Sequence, residues 1–247
     1  DADASSIHLR FADEAYRIGS SDPSESYLNA DKIVEMAGKA GVEAVHPGYG
    51  FLSENAEFAR KCNRHNLIFI GPKSQTLEIT GDKIEARCRV ANALVPTLPS
   101  INRIIEDEDE VLEAAERIGY PVLMKSVYGG GGRGIRFATD KKQLLEEFRP
   151  AQMEAKASFG KFGVYVEKFL EKARHIEFQV LADSHGHIVH LCERECSIQR
   201  RFQKLLEMSP SPIIGKDLRE RMGEAATKAA EAVKYTNAGT VEFLVDR

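Results

Sequence analysis

Between Asn29 and Ala40 (NADKIVEMAGKA) apolar positions recur at the spacing of a helix with one buried face, and Gly41 ends the pattern. Glu43 to His46 is a short strand-like run closed by the turn Pro47-Gly48-Tyr49-Gly50. Helical spacing returns from Glu54 to His65, and Leu67 to Ile70 makes a second apolar run before Gly71-Pro72. Helices alternating with short buried strands predict a parallel, doubly wound sheet within residues 1 to about 81.

The pattern then changes. Asp82 to Ala93 predicts a helix, and Pro96 and Pro99 mark a linker. An acidic stretch, Glu106 to Glu110, opens a helix that stops at Gly119. Tyr120 to Lys125 and Gly134 to Thr139 read as two strands, followed by a helix over Lys141–Phe159 and a strand over Tyr165–Leu170. Residues 97 to 169 are thus expected to form a small α+β lid. From His175 onward polar and apolar residues alternate strictly, as in a strand with one buried face. A second such strand covers about His187 to Ile198, after a turn at Ser184-His185-Gly186. A long helix, Lys216 to Tyr235, leads to the apolar strand Gly239–Val245.

The two strands around residue 130 are joined by Gly129 to Gly132, four glycines where a tight hairpin needs only two loop residues. Ordered glycines are entropically expensive. Their use is to let backbone N–H groups approach an anion with no Cβ in the way. Lys125 and Arg133 bracket the run, which favours a cover for phosphates over a floppy surface loop. No helix follows and no Gly-Lys-Ser/Thr ends the run, so neither a P-loop nor a dinucleotide fingerprint is present. Lys125 ends an apolar strand, where an ammonium requires an anionic partner or an aqueous cleft. Glu242 lies inside the apolar strand Thr240–Val245, where a carboxylate is expected to pair with a cation or bind a metal.

Composition narrows the possibilities without choosing among them. The chain has 247 residues, 43% hydrophobic and 29% charged, with a net charge of -4. That is ordinary for a globular protein and leaves no electrostatic footprint for nucleic acid. No apolar run reaches the length of a membrane span. The four cysteines match no common zinc spacing and are expected to be reduced thiols.

Several motifs together resemble one family, the biotin carboxylase component of biotin-dependent carboxylases, within the ATP-grasp superfamily. They are His46-Pro47-Gly48-Tyr49-Gly50-Phe51-Leu52-Ser53-Glu54-Asn55, Gly81-Asp82-Lys83, Gly119-Tyr120-Pro121 through Arg136, Glu167-Lys168-Phe169-Leu170, Arg174-His175-Ile176-Glu177, Glu195-Cys196-Ser197-Ile198-Gln199-Arg200-Arg201 and Ala238-Gly239-Thr240-Val241-Glu242-Phe243. The resemblance covers the whole chain. It implies an α/β fold: a truncated Rossmann-like (pre-ATP-grasp) domain over 1–81, a linker helix over 82–96, and an ATP-grasp lid over 97–169. The incomplete ATP-grasp core would follow over 170–247. It also implies an ATP-dependent ligase that activates bicarbonate as carboxyphosphate and carboxylates biotin on a carrier protein.

By the same resemblance, Lys83, Lys125, Gly131 and Gly132 would bind ATP phosphates, and Glu167, Lys168, Phe169 and Leu170 would form the hinge that reads adenine. His175 would contact the nucleotide, Glu242 would bind Mg²⁺ or Mn²⁺, Lys204 would hold bicarbonate, and Tyr49 would lie near biotin. Implied partners are a biotin carboxyl carrier protein or domain and a carboxyltransferase component. A homo-oligomer is implied for the intact protein, in the cytoplasm or the mitochondrial matrix. The CSIQRR segment is most like acyl-CoA carboxylase α subunits, with pyruvate carboxylase as an alternative. Phe202 stands where the family often has His, which removes a hydrogen-bond donor. The chain is expected to be truncated at both ends, and the half-site alone to be inactive. A different ATP-grasp ligase and a non-catalytic nucleotide-binding module are the rival readings.

Overall fold

The computed structural model describes residues 1–127, 135–159, 163–200 and 203–246, and divides into two compact units, Asp1–Glu78 and Ile79–Arg247. The first unit begins with two short 3-10 segments, Ile7–Phe11 and Pro23–Glu25. The regular elements that follow are α1 (Ala30–Lys39), β1 (Ala44–Val45), α2 (Ala56–Arg64), β2 (Ile68–Phe69) and α3 (Ser74–Gly81). β1 and β2 pair in parallel, the sense their helical connection requires. Val34 and Ala37 of α1, Phe58, Ala59 and Cys62 of α2, and Phe69 of β2 share one core. The helix starts follow from side chains that accept backbone N–H groups. Asn29 accepts from Lys32 at 3.0 Å, and Asn55, the last residue of the HPGYGFLSEN motif, from Phe58 at 2.8 Å.

The second unit opens with α4 (Lys83–Asn92) and a first sheet built from β3 (Ser100–Ile105), β4 (Val122–Ser126), β5 (Ile135–Ala138) and β6 (Val164–Lys168). Two helices accompany that sheet, α5 (Glu108–Ile118) and α6 (Lys141–Phe159). Its strand order is β3-β6-β4-β5, antiparallel throughout. Val111, Ala114 and Ala115 of α5 and Leu144, Phe148, Ala151 and Ala155 of α6 pack on Val122 and Met124 of β4 and Val164 and Val166 of β6. By the two-residue period of a strand, Leu123, Lys125, Tyr165 and Glu167 occupy the opposite face. Asp107 caps α5 through Glu110 N at 2.8 Å, so the acidic stretch is a helix start, and Gly119 ends that helix at φ 81°.

A second antiparallel sheet, ordered β10-β7-β8-β9, joins β7 (Arg174–Ala182), β8 (Ile188–Arg200), β9 (Gln203–Met208) and β10 (Asn237–Val245). Between β9 and β10 runs α7 (Lys216–Ala232), whose Met222, Ala226 and Ala230 bury Ile176, Phe178 and Val180 of β7. His175, Glu177 and Gln179 consequently project from the face that α7 does not cover. The sequence pattern did not announce α3, β3 or β9. Cys62, Cys88, Cys192 and Cys196 are free thiols. No helix among the described residues is long and apolar enough to cross a membrane.

Candidate functional site

The Gly-Asp-Lys motif acts through a helix start. Asp82 accepts the N–H groups of Ile84 and Glu85, each at 3.0 Å, which makes Lys83 the first residue of α4. Its ammonium donates to the Ser126 carbonyl at 3.1 Å, at the end of β4. One residue earlier on that strand, Lys125 forms an ion pair with the Glu167 carboxylate. The anionic partner that the sequence requires of Lys125 is thus, in part, a residue of the protein. Burial, and then the charge of Lys125, hold the Lys83 ammonium below the ordinary lysine range, with Glu167 opposing. Two ammonium groups crowded at one strand end favour an additional anion there.

Glu167 is buried, and its second oxygen accepts from Arg87 at 3.4 Å and from the Tyr165 hydroxyl at 3.2 Å. Lys168 turns elsewhere: its ammonium donates to the carbonyls of Gly119 at 2.9 Å and Tyr120 at 2.8 Å. The Phe169 amide donates to Pro121 O at 3.1 Å, and its ring meets Phe137 edge-on at 4.8 Å. Leu170 follows β6 and is half-buried. Gly131, Gly132 and Phe202 lie outside the described residues. Tyr49 belongs to the first unit, where it is exposed.

The open face of the second sheet gathers three predicted residues and two that the sequence did not single out. In register, Glu242 lies opposite Glu177, and Glu177 opposite Arg194. Lys204 of β9 reaches across to both carboxylates, pairing with Glu177 and donating to Glu242 at 2.7 Å. Arg194 holds the other oxygen of Glu177 at 2.5 Å and donates to Gln179 Oε1 at 3.1 Å. His175 Nε2 stands 3.6 Å from Glu242, while its Nδ1 is buried without a partner. Glu242 itself is not buried, as its place in an apolar strand implied: its side chain is 53% exposed, because β10 presents that edge of its pleat to the uncovered face.

The cluster is held ionised by its own geometry. The His175 imidazole, then Lys204, bring the Glu242 carboxyl down to about 2. For Lys204 burial works against the charge, but the hydrogen bonds to Glu177 and Glu242 outweigh it and raise its pKa. Glu177 likewise stays below the usual carboxylate range despite burial, because Lys204 and Arg194 both donate to it. A half-exposed carboxylate such as Glu242 can offer one hard oxygen to a Mg²⁺ or Mn²⁺ ion bound chiefly by phosphate.

Glu177, Cys196 and Glu207 also converge, with donor atoms within 4.8 Å of one another. They make a poor metal site. Glu177 is already shared by two cations, and burial together with Glu177 and Glu207 pushes the Cys196 thiol up to about 11, which keeps it protonated.

Two antiparallel sheets, lysines converging at the end of β4 and carboxylates on an uncovered sheet face are the features of an ATP-grasp unit. Known proteins agree. Residues 1–77 match the biotin carboxylase N-terminal domain, and residues 82–247 match the carbamoyl-phosphate synthase L chain ATP-binding domain. A biotin carboxylase of Nostoc sp. is 51% identical over 99% of this chain and 55% of its own length. The mitochondrial propionyl-CoA carboxylase alpha chain of Mus musculus is 49% identical over the whole chain and 34% of its own length. Among solved structures, a biotin carboxylase–beta-gamma-ATP complex from Campylobacter jejuni superposes with a TM-score of 0.96 at 42% identity, covering 100% of this chain and 55% of that one. The Hydrogenobacter thermophilus 2-oxoglutarate carboxylase biotin carboxylase domain, a dimer with MgADP, ADP and bicarbonate, gives 0.91 at 46% identity, covering 97% of this chain and 52% of that one. The chain belongs to the biotin carboxylase family. It spans about half the length, or less, of the curated relatives it matches.

Proposed function

We propose that the protein of which this chain is part activates bicarbonate with ATP and carboxylates biotin carried on a partner protein or domain. The observation that carries this reading is Lys204. Its ammonium is fixed between Glu177 and Glu242 on an uncovered sheet face, in a chain that also brings Lys83 and Lys125 to one strand end. Phosphoryl transfer asks a protein for position and charge neutralisation more than for covalent chemistry, and these groups supply both.

In this reading Lys83, Lys125, Gly131 and Gly132 take the ATP phosphates, and residues 97–169 close over them as a lid hinged at Glu167-Lys168-Phe169-Leu170, beside the adenine. His175 adds a nucleotide contact from the open face, where its Nε2 stands near Glu242. Lys204 orients bicarbonate, and Tyr49 flanks biotin. Glu242 is the carboxylate that would hold Mg²⁺ or Mn²⁺, an ion whose contribution when bound is to neutralise phosphate charge. The activated carboxyl group goes to biotin on a carboxyl carrier, and a carboxyltransferase component chooses the final acceptor. The relatives include bacterial and mitochondrial proteins, and the intact protein is read as a homo-oligomer of the cytoplasm or the mitochondrial matrix.

The test is ATP cleavage by the full-length protein with Mg²⁺. Phosphate release that requires bicarbonate and rises with added biotin supports the reading. Cleavage indifferent to both, or transfer to another acceptor without biotin, would assign a different ligase activity.

A further inference from the structure

Arg87 has no place in the nucleotide site as described, yet it touches the residue that positions one phosphate lysine. It lies one helical turn beyond Lys83 on α4, and its side chain is 18% exposed. One arm of its guanidinium donates to Leu98 O at 2.6 Å and Ser100 Oγ at 2.9 Å. The other donates to Glu167 at 3.4 Å. Glu167 is 2% exposed, and its remaining partners are Lys125 and the Tyr165 hydroxyl.

We propose that Arg87 is a positioning residue for nucleotide binding, acting through Glu167 on Lys125. A buried carboxylate is tolerated only when its lone pairs are filled, and the loss of one cationic partner leaves it underneutralised. With Arg87 present, one oxygen of Glu167 is anchored and the other aims the Lys125 ammonium. Arg87 also shares the carboxylate charge, so Lys125 is released readily to an incoming phosphate. Without Arg87 the whole charge of Glu167 falls on Lys125, and the ammonium is held back. Because α4 carries both Lys83 and Arg87, one rigid helix sets both phosphate lysines, the first directly and the second by relay. A guanidinium suits this place because its planar fork can serve a carbonyl, a hydroxyl and a carboxylate together.

The inference rests on the nucleotide reading above. The experiment is a calorimetric titration of the full-length protein with ATP, as a double-mutant cycle. Arg87→Met is expected to weaken ATP affinity about tenfold, the scale of one lost charged hydrogen bond. In a Lys125→Met background the same substitution should change affinity less than about twofold, because the group it acts through is gone. Arg87→Lys, which keeps the charge and loses the fork, should fall between, at about threefold, and keeps the test open if Arg87→Met does not fold. Arg103→Met, on an exposed pair with Glu110, should leave affinity unchanged. Equal losses with and without Lys125 would make Arg87 a purely structural residue and overturn the inference, as would no loss at all. Absence of ATP binding by the unsubstituted protein would overturn the nucleotide reading and the inference together.

Discussion

On the face of the second sheet that α7 covers, Glu193 accepts from Nε and Nη2 of Arg219, at 2.8 and 2.7 Å, together with the Ser211 amide at 3.1 Å. Beside it Glu195 takes Arg174 at 3.1 Å and the hydroxyl of Ser211 at 2.8 Å. On the opposite face, Glu177 and Glu242 share one lysine, and Glu242 is half exposed. The same strands therefore carry two kinds of carboxylate cluster. In the covered one every carboxylate oxygen has a donor, from an arginine, a hydroxyl or a backbone N–H, and both carboxylates are buried. In the open one Arg194 and Lys204 hold the buried Glu177, while the half-exposed Glu242 has only Lys204 and the His175 imidazole beside it, so its partners are the ones the proposed function would exchange. Density of charge does not distinguish the two clusters; the availability of their members does, and it is the open cluster that the proposed function uses.

Breaking the covered cluster should have the largest effect on stability. Glu193→Ala leaves the Ser211 amide and the Arg219 fork without their acceptor, and a loss of about 3 kcal/mol in denaturant unfolding is expected. Nucleotide affinity of the protein that still folds should not change. On the open face the balance reverses. Lys204→Met should reduce biotin-dependent ATP cleavage about 10²-fold, the scale for removing one oriented electrostatic group. It should cost less stability, because Arg194 still holds Glu177 and Glu242 is free to turn to water.

Glu242→Gln is a finer probe, since it keeps the shape and removes the charge. Mn²⁺ titrated in the presence of ATP should bind about tenfold more weakly, with only a small loss of thermal stability near neutral pH. Unchanged metal affinity would leave Glu242 as a salt-bridge partner only.

The smallest effect is on the pH dependence of stability. The native Glu242 carboxyl is depressed to about 2 from an ordinary value of 4.5. Its contribution is therefore complete above pH 4.5 and is lost as pH falls from there through 2. Given its exposure, that contribution should be below about 1 kcal/mol. The stability difference between the unsubstituted protein and Glu242→Gln should accordingly shrink between pH 6 and pH 3. A difference that grew on acidification would refute the His175–Glu242–Lys204 arrangement.

What was legible in the sequence follows the range of the interactions involved. Helix starts are local, so Asn29 and Asp82 could be read directly as the starts of α1 and α4, and the starts of α2 and α5 were placed to within a residue or so of their caps, Asn55 and Asp107. The alternation in β7 was equally plain and placed His175 on a polar face, whereas β10 read as an apolar strand, and the exposure of its Glu242 face appeared only in the fold. The short α3 was not legible, since it buries only Thr76 and Leu77 and has little amphipathic pattern. β3 was hidden by the prolines before it, and β9 by its largely exposed, irregular mixture of side chains. Strand register is non-local. Nothing near Glu177 in sequence says that Arg194 lies opposite it or that Lys204 reaches it from two strands away. The pairing of Lys125 with Glu167 was invisible for the same reason.

The site as a whole depends on the claim that the end of β4 receives the phosphates of a nucleotide. The most direct test is the ATP dissociation constant of the full-length protein, compared with that of Lys125→Ala. Loss of one charged hydrogen bond, about 1.5–3 kcal/mol, should weaken binding by about 10- to 100-fold. The protein should still fold, at a lowered melting temperature, because Arg87 and Tyr165 continue to hold Glu167 after its Lys125 partner is lost. An unchanged dissociation constant, with the protein folded, would contradict the assignment of Lys125 and with it the phosphate site.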